Sequence, residues 1–272
     1  MAKIVAVGAE MQAASSLALA YPEREILFIS DQPVLDGWDI PNVRYLHSTP
    51  NDWRRLVAND DTIVLLCPRW QPKEEWSLAQ VLPPAARALG TDLVLPVQDR
   101  PGPQGNWQVK GNRWHRPDAP MAGPAGDLVE VMDTHGCELV YQPLVRAVGT
   151  VMAIGRRMEG AVALGLFRVF DERFFRIAIL QAAESIADKR IAGLSLEVLE
   201  TLGYSGFFTL NWLLTRDGPR LTSFRPVPRA AFGAFRRGGI DVLAPPGGIA
   251  ELPADLRFVA QPHYLSYSRL EA

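Results

Sequence analysis

Lys110 stands at the end of the apolar segment WQVKG, residues 107–111, immediately before a long polar loop. A lysine in this position can present a point charge to a phosphate group while backbone N–H groups of the loop close over it. A surface lysine at the end of a strand would have the same local pattern. Lys110 is therefore a candidate anion-binding residue, and the pattern alone leaves both interpretations open.

The loop after Lys110 carries the run RWHRPD at residues 113–118, which concentrates charged and hydrogen-bonding groups in six positions. Arg113 and Arg116 could clamp a carboxylate or phosphate with paired N–H donors. His115 could act as a base if a proton to be moved lies nearby. A solvated loop held by its own arginine–aspartate pairs is the alternative. We predict that the two arginines bind substrate and that His115 is catalytic.

A second concentration of positive charge lies in residues 216–237, where six arginines accompany one acid, Asp217. This segment has a net charge of +5 in 22 residues, whereas the whole chain has a net charge of −2. Alternation along a strand places Ser223 and Arg225 on the same face. The segment favours an anionic ligand or an acidic partner, with a solvated arginine-rich edge as the alternative.

Histidine and cysteine spacing argues against two other kinds of site. None of the four histidines lies three or four residues from another, so we expect no histidine-rich metal site. Cys67 and Cys137 are far apart and lack a partner motif, which excludes a disulfide framework and a cysteine zinc site. This cysteine usage favours a reduced chain in the cytoplasm.

Composition excludes several classes of protein. The 272 residues are 48% hydrophobic and 21% charged, as in a globular chain with a sizeable core, and unlike a disordered, collagen-like or coiled-coil chain. The net charge of −2 provides no basic field, so we expect no nucleic-acid partner. No run of 18 apolar residues occurs and the first residues lack the apolar core of a signal peptide, so we expect no membrane association.

Short apolar runs alternate with helical segments over the first 66 residues. We predict strands at residues 3–8, 24–31, 42–47 and 62–66 and helices at residues 10–20 and 51–59. This alternation is typical of a parallel sheet covered on both faces, which predicts a Rossmann-like domain at residues 1–90 that ends in a linker with one or two short helices. The first turn lacks the glycines of a dinucleotide fingerprint, so we expect no NAD or FAD there.

The pattern after residue 90 changes to antiparallel strands. We predict strands at residues 107–111, 139–145, 149–158, 160–170, 207–215 and 220–225, the last two joined by a hairpin turn at residues 216–218. Residues 112–126 are predicted to be a loop and residues 182–202 one helix that ends at Gly203. The proline-rich tail that follows this hairpin is predicted to be irregular.

This order of elements resembles the ATP-grasp superfamily, in which a Rossmann-like domain precedes two α+β lobes that hold ATP between antiparallel sheets. Three segments carry the resemblance, which covers most of residues 1–245. They are WQVKG at residues 107–111, LVYQPLV at residues 139–145, and GYSGFFTLNWLLTRDGPRLTSFRPVPR at residues 203–229. The resemblance implies an α/β and α+β fold, with an ATP-grasp-like domain at residues 91–272 whose small lobe spans residues 91–142 and whose large lobe spans residues 143–272.

The resemblance also implies ATP as the cofactor and assigns residues to it. Lys110 corresponds to the lysine that contacts the nucleotide phosphates. Gln142 takes the place of the acidic or amide residue beside adenine, where Leu144 would offer its backbone. The hairpin in residues 203–229 corresponds to the segment that carries the Mg²⁺ ligands of the family.

The hairpin departs from the family pattern at those ligand positions. Asn211, Ser223 and Arg225 stand where the family has an aspartate, a glutamate and an asparagine. Mg²⁺ prefers anionic oxygen, whereas these residues supply neutral oxygens and a positive charge, so a metal is disfavoured here. We predict that Asn211 and Ser223 bind substrate. Arg225 and Arg229 are predicted to be catalytic, replacing the lost metal charge.

Two functions of different classes follow from the resemblance. In the first, the chain is a carboxylate–amine or carboxylate–thiol ligase that forms an acyl-phosphate with ATP in a cofactor or secondary-metabolite pathway. In the second, it is a non-catalytic relative that binds an anionic metabolite or a partner protein through an arginine-rich cleft. Without the resemblance, a small α/β binding protein with a basic edge is a third interpretation. The sequence leaves open the substrate, whether the chain is an enzyme, and whether it forms a homodimer.

Overall fold

The computed structural model describes residues 3–8, 11–32, 39–49, 52–66, 76–111, 122–124, 139–169, 182–228 and 231–259. Within these ranges the chain forms three β-sheets and four α-helices. One sheet is parallel and belongs to the N-terminal part, and the other two are built mainly from antiparallel strands.

The N-terminal sheet has four parallel strands in the order β3-β2-β1-β4. They are β1 at Ile4–Val7, β2 at Ile26–Ser30, β3 at Val43–His47 and β4 at Thr62–Leu65. Helix α1, Met11–Ala20, connects β1 to β2, and the nearly continuous burial of these two strands is typical of a covered parallel sheet. The predicted helix at residues 51–59 is only a 3₁₀ turn, Trp53–Leu56, and the side chain of Asp52 makes no capping hydrogen bond there.

Helix α2, Leu78–Leu89, lies in the segment predicted to be a linker. Its start is fixed by a capping box, in which Ser77 Oγ accepts from the N–H of Gln80 and the Gln80 side chain accepts from the N–H of Ser77. The two prolines inside the helix are Pro83 and Pro84.

A three-stranded antiparallel sheet follows, in the order β6-β5-β7. Its strands are β5 at Asn106–Gly111, β6 at Ala122–Pro124 and β7 at Leu139–Pro143. The prediction of a continuous loop at residues 112–126 is therefore wrong for residues 122–124, because this Ala-Gly-Pro segment pairs with β5.

The large sheet has seven strands, with β13 added in parallel to β9 beside the path β12-β11-β8-β9-β10-β14. Its strands are β8 at Gly149–Met158, β9 at Ala161–Val169, β10 at Ala182–Ser185, β11 at Gly206–Thr215, β12 at Gly218–Arg225, β13 at Gly248–Glu251 and β14 at Arg257–Val259. Helix α3 spans Lys189–Thr201 and helix α4 spans Phe232–Arg237.

The prediction of a single helix at residues 182–202 is wrong in its first third. Residues 182–185 form β10, whose pairing with β9 and β14 overrides their helical propensity. Helix α3 begins only after Asp188, whose carboxylate accepts from the N–H groups of Arg190 and Ile191 at 3.0 Å each. The prediction of an irregular C-terminal segment is also wrong, because α4, β13 and β14 lie there.

The two faces of the large sheet bury different partners. On one face, Phe208, Leu210 and Trp212 pack with side chains of α2 and α3. The other face joins Met152 and Ile154 to α4 and to the N-terminal sheet in one apolar cluster. The edge of the sheet formed by β12 and its neighbour β11 also carries polar side chains, which are described below.

A polar joint fastens α1 to the segment that follows α4. The hydroxyl of Tyr21 donates to Oδ1 of Asp241 at 2.7 Å. Arg236 donates from Nε to the carbonyl of Ala20 at 3.1 Å and from Nη2 to Glu23 at 3.2 Å. This joint, together with the apolar cluster, fixes the N-terminal sheet against the large sheet.

In the part of the chain that the structure describes, every helix is too short or too polar to cross a membrane.

Candidate functional site

A β-bulge in the β11–β12 hairpin forms the polar corner of the large sheet. Asn211 pairs with Ser223 and Trp212 pairs with Leu221, so Thr222 is the additional residue on β12. The hydroxyl of Thr222 donates to the carbonyl of Asn211 at 3.2 Å and closes the bulge. Bulges occur beside active sites because they change the direction of neighbouring side chains and backbone groups.

The ammonium group of Lys110 reaches this bulge from the three-stranded sheet. Its Nζ donates to the carbonyl oxygen of Thr222 at 3.1 Å. Burial, together with the positive charge of Arg225, lowers the pKa of Lys110 to about 7. The charge of Arg225 thus acts on the Lys110 ammonium, whose hydrogen-bond partner there is a neutral carbonyl.

An amide–hydroxyl pair lies across the same bulge. Nδ2 of Asn211 donates to Oγ of Ser223 at 2.6 Å, and Ser223 is buried. Oδ1 of Asn211 is also buried, and it accepts no hydrogen bond from any described residue. An unsatisfied buried acceptor destabilises the folded state by about 1–3 kcal/mol. This oxygen is therefore a buried acceptor that the described residues leave without a donor.

A second unpaired amide oxygen belongs to Gln142 on β7. The side chain is fully buried, and its Nε2 donates to the carbonyl of Leu95 at 3.3 Å. Its Oε1 has no hydrogen-bond partner among the described residues. Gln142 thus offers one acceptor on the three-stranded sheet, and Lys110 lies on the neighbouring strand of the same sheet.

A bridging segment, residues 93–98, connects the two parts of the site. The N–H of Leu95 donates to the carbonyl of Leu221, next to the bulge, and the N–H of Leu221 donates to the carbonyl of Leu93. Farther along, Gln98 and Tyr141 exchange two backbone hydrogen bonds. The bridging segment therefore holds β7, which carries Gln142, at a fixed position beside β12.

The backbone of Leu144 is only partly available to a ligand. Its N–H donates to the carbonyl of Asn106 at 2.8 Å, while its side chain is 47% exposed. This N–H is used in pairing with Asn106, the first residue of β5, and the expectation that Leu144 offers its backbone stays a prediction. The carbonyl is the group to which the prediction still applies.

Comparison with known proteins finds similarity in solved structures. No protein-family model and no curated protein matches the sequence. N5-carboxyaminoimidazole synthetase from Staphylococcus aureus, complexed with ADP, superposes with a TM-score of 0.68 at 11% identity, over 94% of this chain and 81% of that chain. The chain has the ATP-grasp fold.

Two further solved structures are similar to this chain. N5-carboxyaminoimidazole ribonucleotide synthetase from Thermus thermophilus has a TM-score of 0.62 at 15% identity, over 93% of this chain and 81% of that chain. L-amino acid ligase from Bacillus licheniformis has a TM-score of 0.61 at 10% identity, over 89% of this chain and 72% of that chain. At such low identity these TM-scores establish a common fold, and they confirm the fold class expected from the sequence. The domain and lobe boundaries at residues 90 and 142 stay predictions.

Several of the predicted site residues meet at the bulge. Others lie outside the residues that the structure describes. Asn211 and Ser223 are in contact, and Lys110 is close enough to Arg225 to be affected by its charge. Four predicted residues lie outside the described ranges, so their positions stay predictions: Arg113, His115, Arg116 and Arg229. Sequence reasoning missed the carbonyl of Thr222, because a backbone acceptor carries no signal in the residue type.

The polar groups at the bulge do not fit the Mg²⁺ ion that the resemblance to the family implies. Asn211 directs an N–H to Ser223, and the remaining oxygen of Asn211 is neutral. Arg225 is positively charged, and a guanidinium about 4 Å from a divalent cation repels it by roughly 8 kcal/mol at an effective dielectric constant near 20. Mg²⁺ requires anionic oxygen ligands, and these residues provide none.

Proposed function

We propose that this chain is an ATP-binding protein of ATP-grasp ancestry, with the polyphosphate of the nucleotide at the β11–β12 bulge. The observation that supports it most directly is the hydrogen bond of the Lys110 ammonium to a neutral carbonyl beside Arg225. A phosphate oxygen is a stronger partner for this ammonium than the carbonyl of Thr222, because its negative charge adds Coulomb attraction to the hydrogen bond. The fold neighbour complexed with ADP supports the choice of nucleotide.

The adenine end of the nucleotide would lie against β7. The unpaired Oε1 of Gln142 can accept a hydrogen bond from the exocyclic amino group of adenine. The carbonyl of Leu144 offers a second acceptor at the end of the same strand. Both assignments follow the resemblance, and the buried unpaired oxygen of Gln142 adds an observation that supports the first.

The reaction we propose is ligation of a carboxylate to an amine or thiol, as the names of the synthetase and ligase neighbours suggest. An oxygen of the carboxylate attacks the terminal phosphorus of ATP, and ADP leaves. The amine or thiol then attacks the acyl carbon, and phosphate leaves. Lys110 and Arg225 would stabilise the negative charge on the transferred group.

The remaining predicted residues have roles around that reaction. Arg113 and Arg116 would bind the small anionic substrate, and His115 would accept the proton of the attacking amine. Asn211 would contribute its unpaired oxygen to substrate binding, and Arg229 would add charge beside Arg225. A cofactor or secondary-metabolite pathway remains our proposal for the setting.

A second candidate function is binding without turnover. The specific observation in its favour is that Asn211 and Ser223 hydrogen-bond to each other at positions where the family carries acids. A cleft with arginine, lysine and neutral amides can hold an anionic metabolite or an acidic partner protein without chemistry.

The two functions are separated by measuring ligand-dependent melting and ADP release on the same preparations. Wild type, Lys110→Met and the control Lys189→Met, which removes an exposed lysine of α3, are heated with and without ATP. We expect ATP to raise the melting temperature of wild type and the control but not of Lys110→Met. ADP release that depends on an added carboxylate and amine supports the ligase. Stabilisation by ATP without such release supports the binding protein, and no stabilisation overturns the nucleotide assignment.

A further inference from the structure

We infer that the β11–β12 bulge binds its polyphosphate ligand free of divalent metal, with Lys110 and Arg225 providing the positive charge. The inference rests on the proposed function in so far as both place a polyphosphate at this bulge. It goes further because it names the ionic form of the ligand that the site takes.

The first step of the argument is the residue content of the hairpin. Neither β11, Gly206–Thr215, nor β12, Gly218–Arg225, contains an aspartate or a glutamate. The one acid of the hairpin is Asp217, in the turn beyond Thr215, and the four-residue step from Asn211 to Thr215 alone spans roughly 13 Å along the strand. Over the ranges that the structure describes, no three histidine, cysteine or acidic side chains are grouped as metal ligands.

The second step is the state of the neutral groups that remain. Ser223 Oγ already accepts the N–H of Asn211, and Thr222 uses its hydroxyl within the bulge and its carbonyl for Lys110. The unpaired Oδ1 of Asn211 is a single neutral oxygen. Mg²⁺ is usually held by at least one carboxylate, so one amide oxygen between cationic side chains does not make a metal site.

The third step concerns the ligand. Metal-free ATP carries two more negative charges than its magnesium complex, and the attraction to Lys110 and Arg225 grows with that charge. Mg²⁺ would occupy the phosphate oxygens that these side chains need, and its charge would oppose theirs. Added Mg²⁺ therefore competes with the protein for the polyphosphate and weakens binding.

The test is calorimetric titration of the full chain with ATP and with inorganic tripolyphosphate. Each titration is run in EDTA and in excess MgCl₂ at equal ionic strength. We expect the dissociation constant to be about tenfold lower in EDTA than in MgCl₂. Arg225→Asn should weaken metal-free binding about tenfold, whereas Arg220→Asn, which removes a charge from the same strand, should change it less than about twofold.

The outcomes separate this inference from the proposed function. Tighter binding in MgCl₂, or binding only in MgCl₂, overturns the inference and leaves nucleotide binding standing. Equal loss in both arginine variants overturns the assignment to the bulge. Absence of binding in both conditions overturns the inference together with the nucleotide part of the proposed function. Tight metal-free binding without ligase activity supports the inference and contradicts only the catalytic proposal.

Discussion

At Lys110, burial and a neighbouring arginine act on the same ammonium group and in the same direction. Both lower the pKa of Lys110, to about 7, because both disfavour the charged form. Near neutral pH the site therefore contains a lysine whose charge state changes readily. A bound anion has the opposite effect and stabilises the ammonium.

The binding of ATP should consequently be accompanied by proton uptake. In the free protein Lys110 is mostly neutral above pH 7, and bound phosphate raises its pKa, so affinity should fall as the pH rises from about 7 to 9 by up to tenfold per pH unit. Titrations at pH 8 in two buffers of different ionisation enthalpy measure the uptake. Arg225 is the charged neighbour named with Lys110, and it does not titrate in this range.

Lys110→Arg is the control for that prediction, because an arginine stays charged. This variant should bind ATP with little proton uptake and a flat pH dependence over the same range. If wild type and Lys110→Arg take up the same number of protons, Lys110 does not titrate on binding.

The positions around the bulge show how far residue types alone could lead. Strand alternation and the hairpin were enough to predict that Ser223 and Arg225 share a face, and the resemblance brought in Asn211 and Lys110. The hydrogen bond from Lys110 to Thr222 could not be predicted, because it depends on one extra residue in the ladder. The unpaired oxygen of Asn211 likewise results from packing.

Among the elements, β8 has no room for a side chain at Gly155. A Cβ built at Gly155 would lie 1.9 Å from the carbonyl oxygen of Ala163 and 2.9 Å from the ring of Phe208. At Gly149 on the same strand, the nearest atom is a methyl of Leu214 at 3.7 Å. The glycine at position 155 is therefore required by space, while the one at 149 is not.

Gly155→Ala should lower the free energy of unfolding by about 3 kcal/mol, because the β9 backbone must move. Gly149→Ala should change it by less than about 1 kcal/mol, since an ordinary contact results. Urea denaturation measures both. Equal effects of the two substitutions would show that the close approach at Gly155 relaxes easily.

The start of α3 is set by a side-chain cap rather than by propensity. The sequence favours helix from residue 182, yet pairing with β9 and β14 takes residues 182–185 into the sheet. Local preference was therefore sufficient to predict the helix but not its beginning, since strand pairing involves residues far apart in the chain.

Asp188→Ala should lower the free energy of unfolding by about 1 kcal/mol, because the N–H groups of Arg190 and Ile191 lose their acceptor. Glu197→Ala, an exposed change in the middle of the same helix, should stay within about 0.5 kcal/mol of wild type. Chemical denaturation followed by circular dichroism compares them. A larger loss in Glu197→Ala would contradict the role of the cap.

For the whole molecule, the order of a parallel sheet followed by antiparallel sheets was predictable from hydrophobic patterning. The way in which the N-terminal sheet is fastened was not, because Tyr21 and Asp241 are 220 residues apart. Burial and the hydrogen bond to Asp241 raise the pKa of Tyr21 above its usual range, so the hydroxyl stays protonated and able to donate.

Tyr21→Phe should lower the free energy of unfolding by about 2 kcal/mol, because the Asp241 carboxylate loses a buried donor. Arg44→Ala removes an exposed ion pair with Glu25 on the N-terminal sheet and should change stability by less than about 1 kcal/mol. Both are measured by urea denaturation. A neutral Tyr21→Phe would mean that the Tyr21–Asp241 hydrogen bond does not contribute to fastening the two parts.

The bridging segment has a mechanical consequence for how a ligand enters. Four backbone hydrogen bonds stitch residues 93–98 to Leu221 on one side and Tyr141 on the other. Any separation of Leu221 from Tyr141 at that edge would have to break these hydrogen bonds together, so the bridging segment holds the edge closed. The nucleotide of the proposed function would then enter from the side opposite this edge, and the amide hydrogens of these four hydrogen bonds should be among the slowest in the molecule to exchange with solvent.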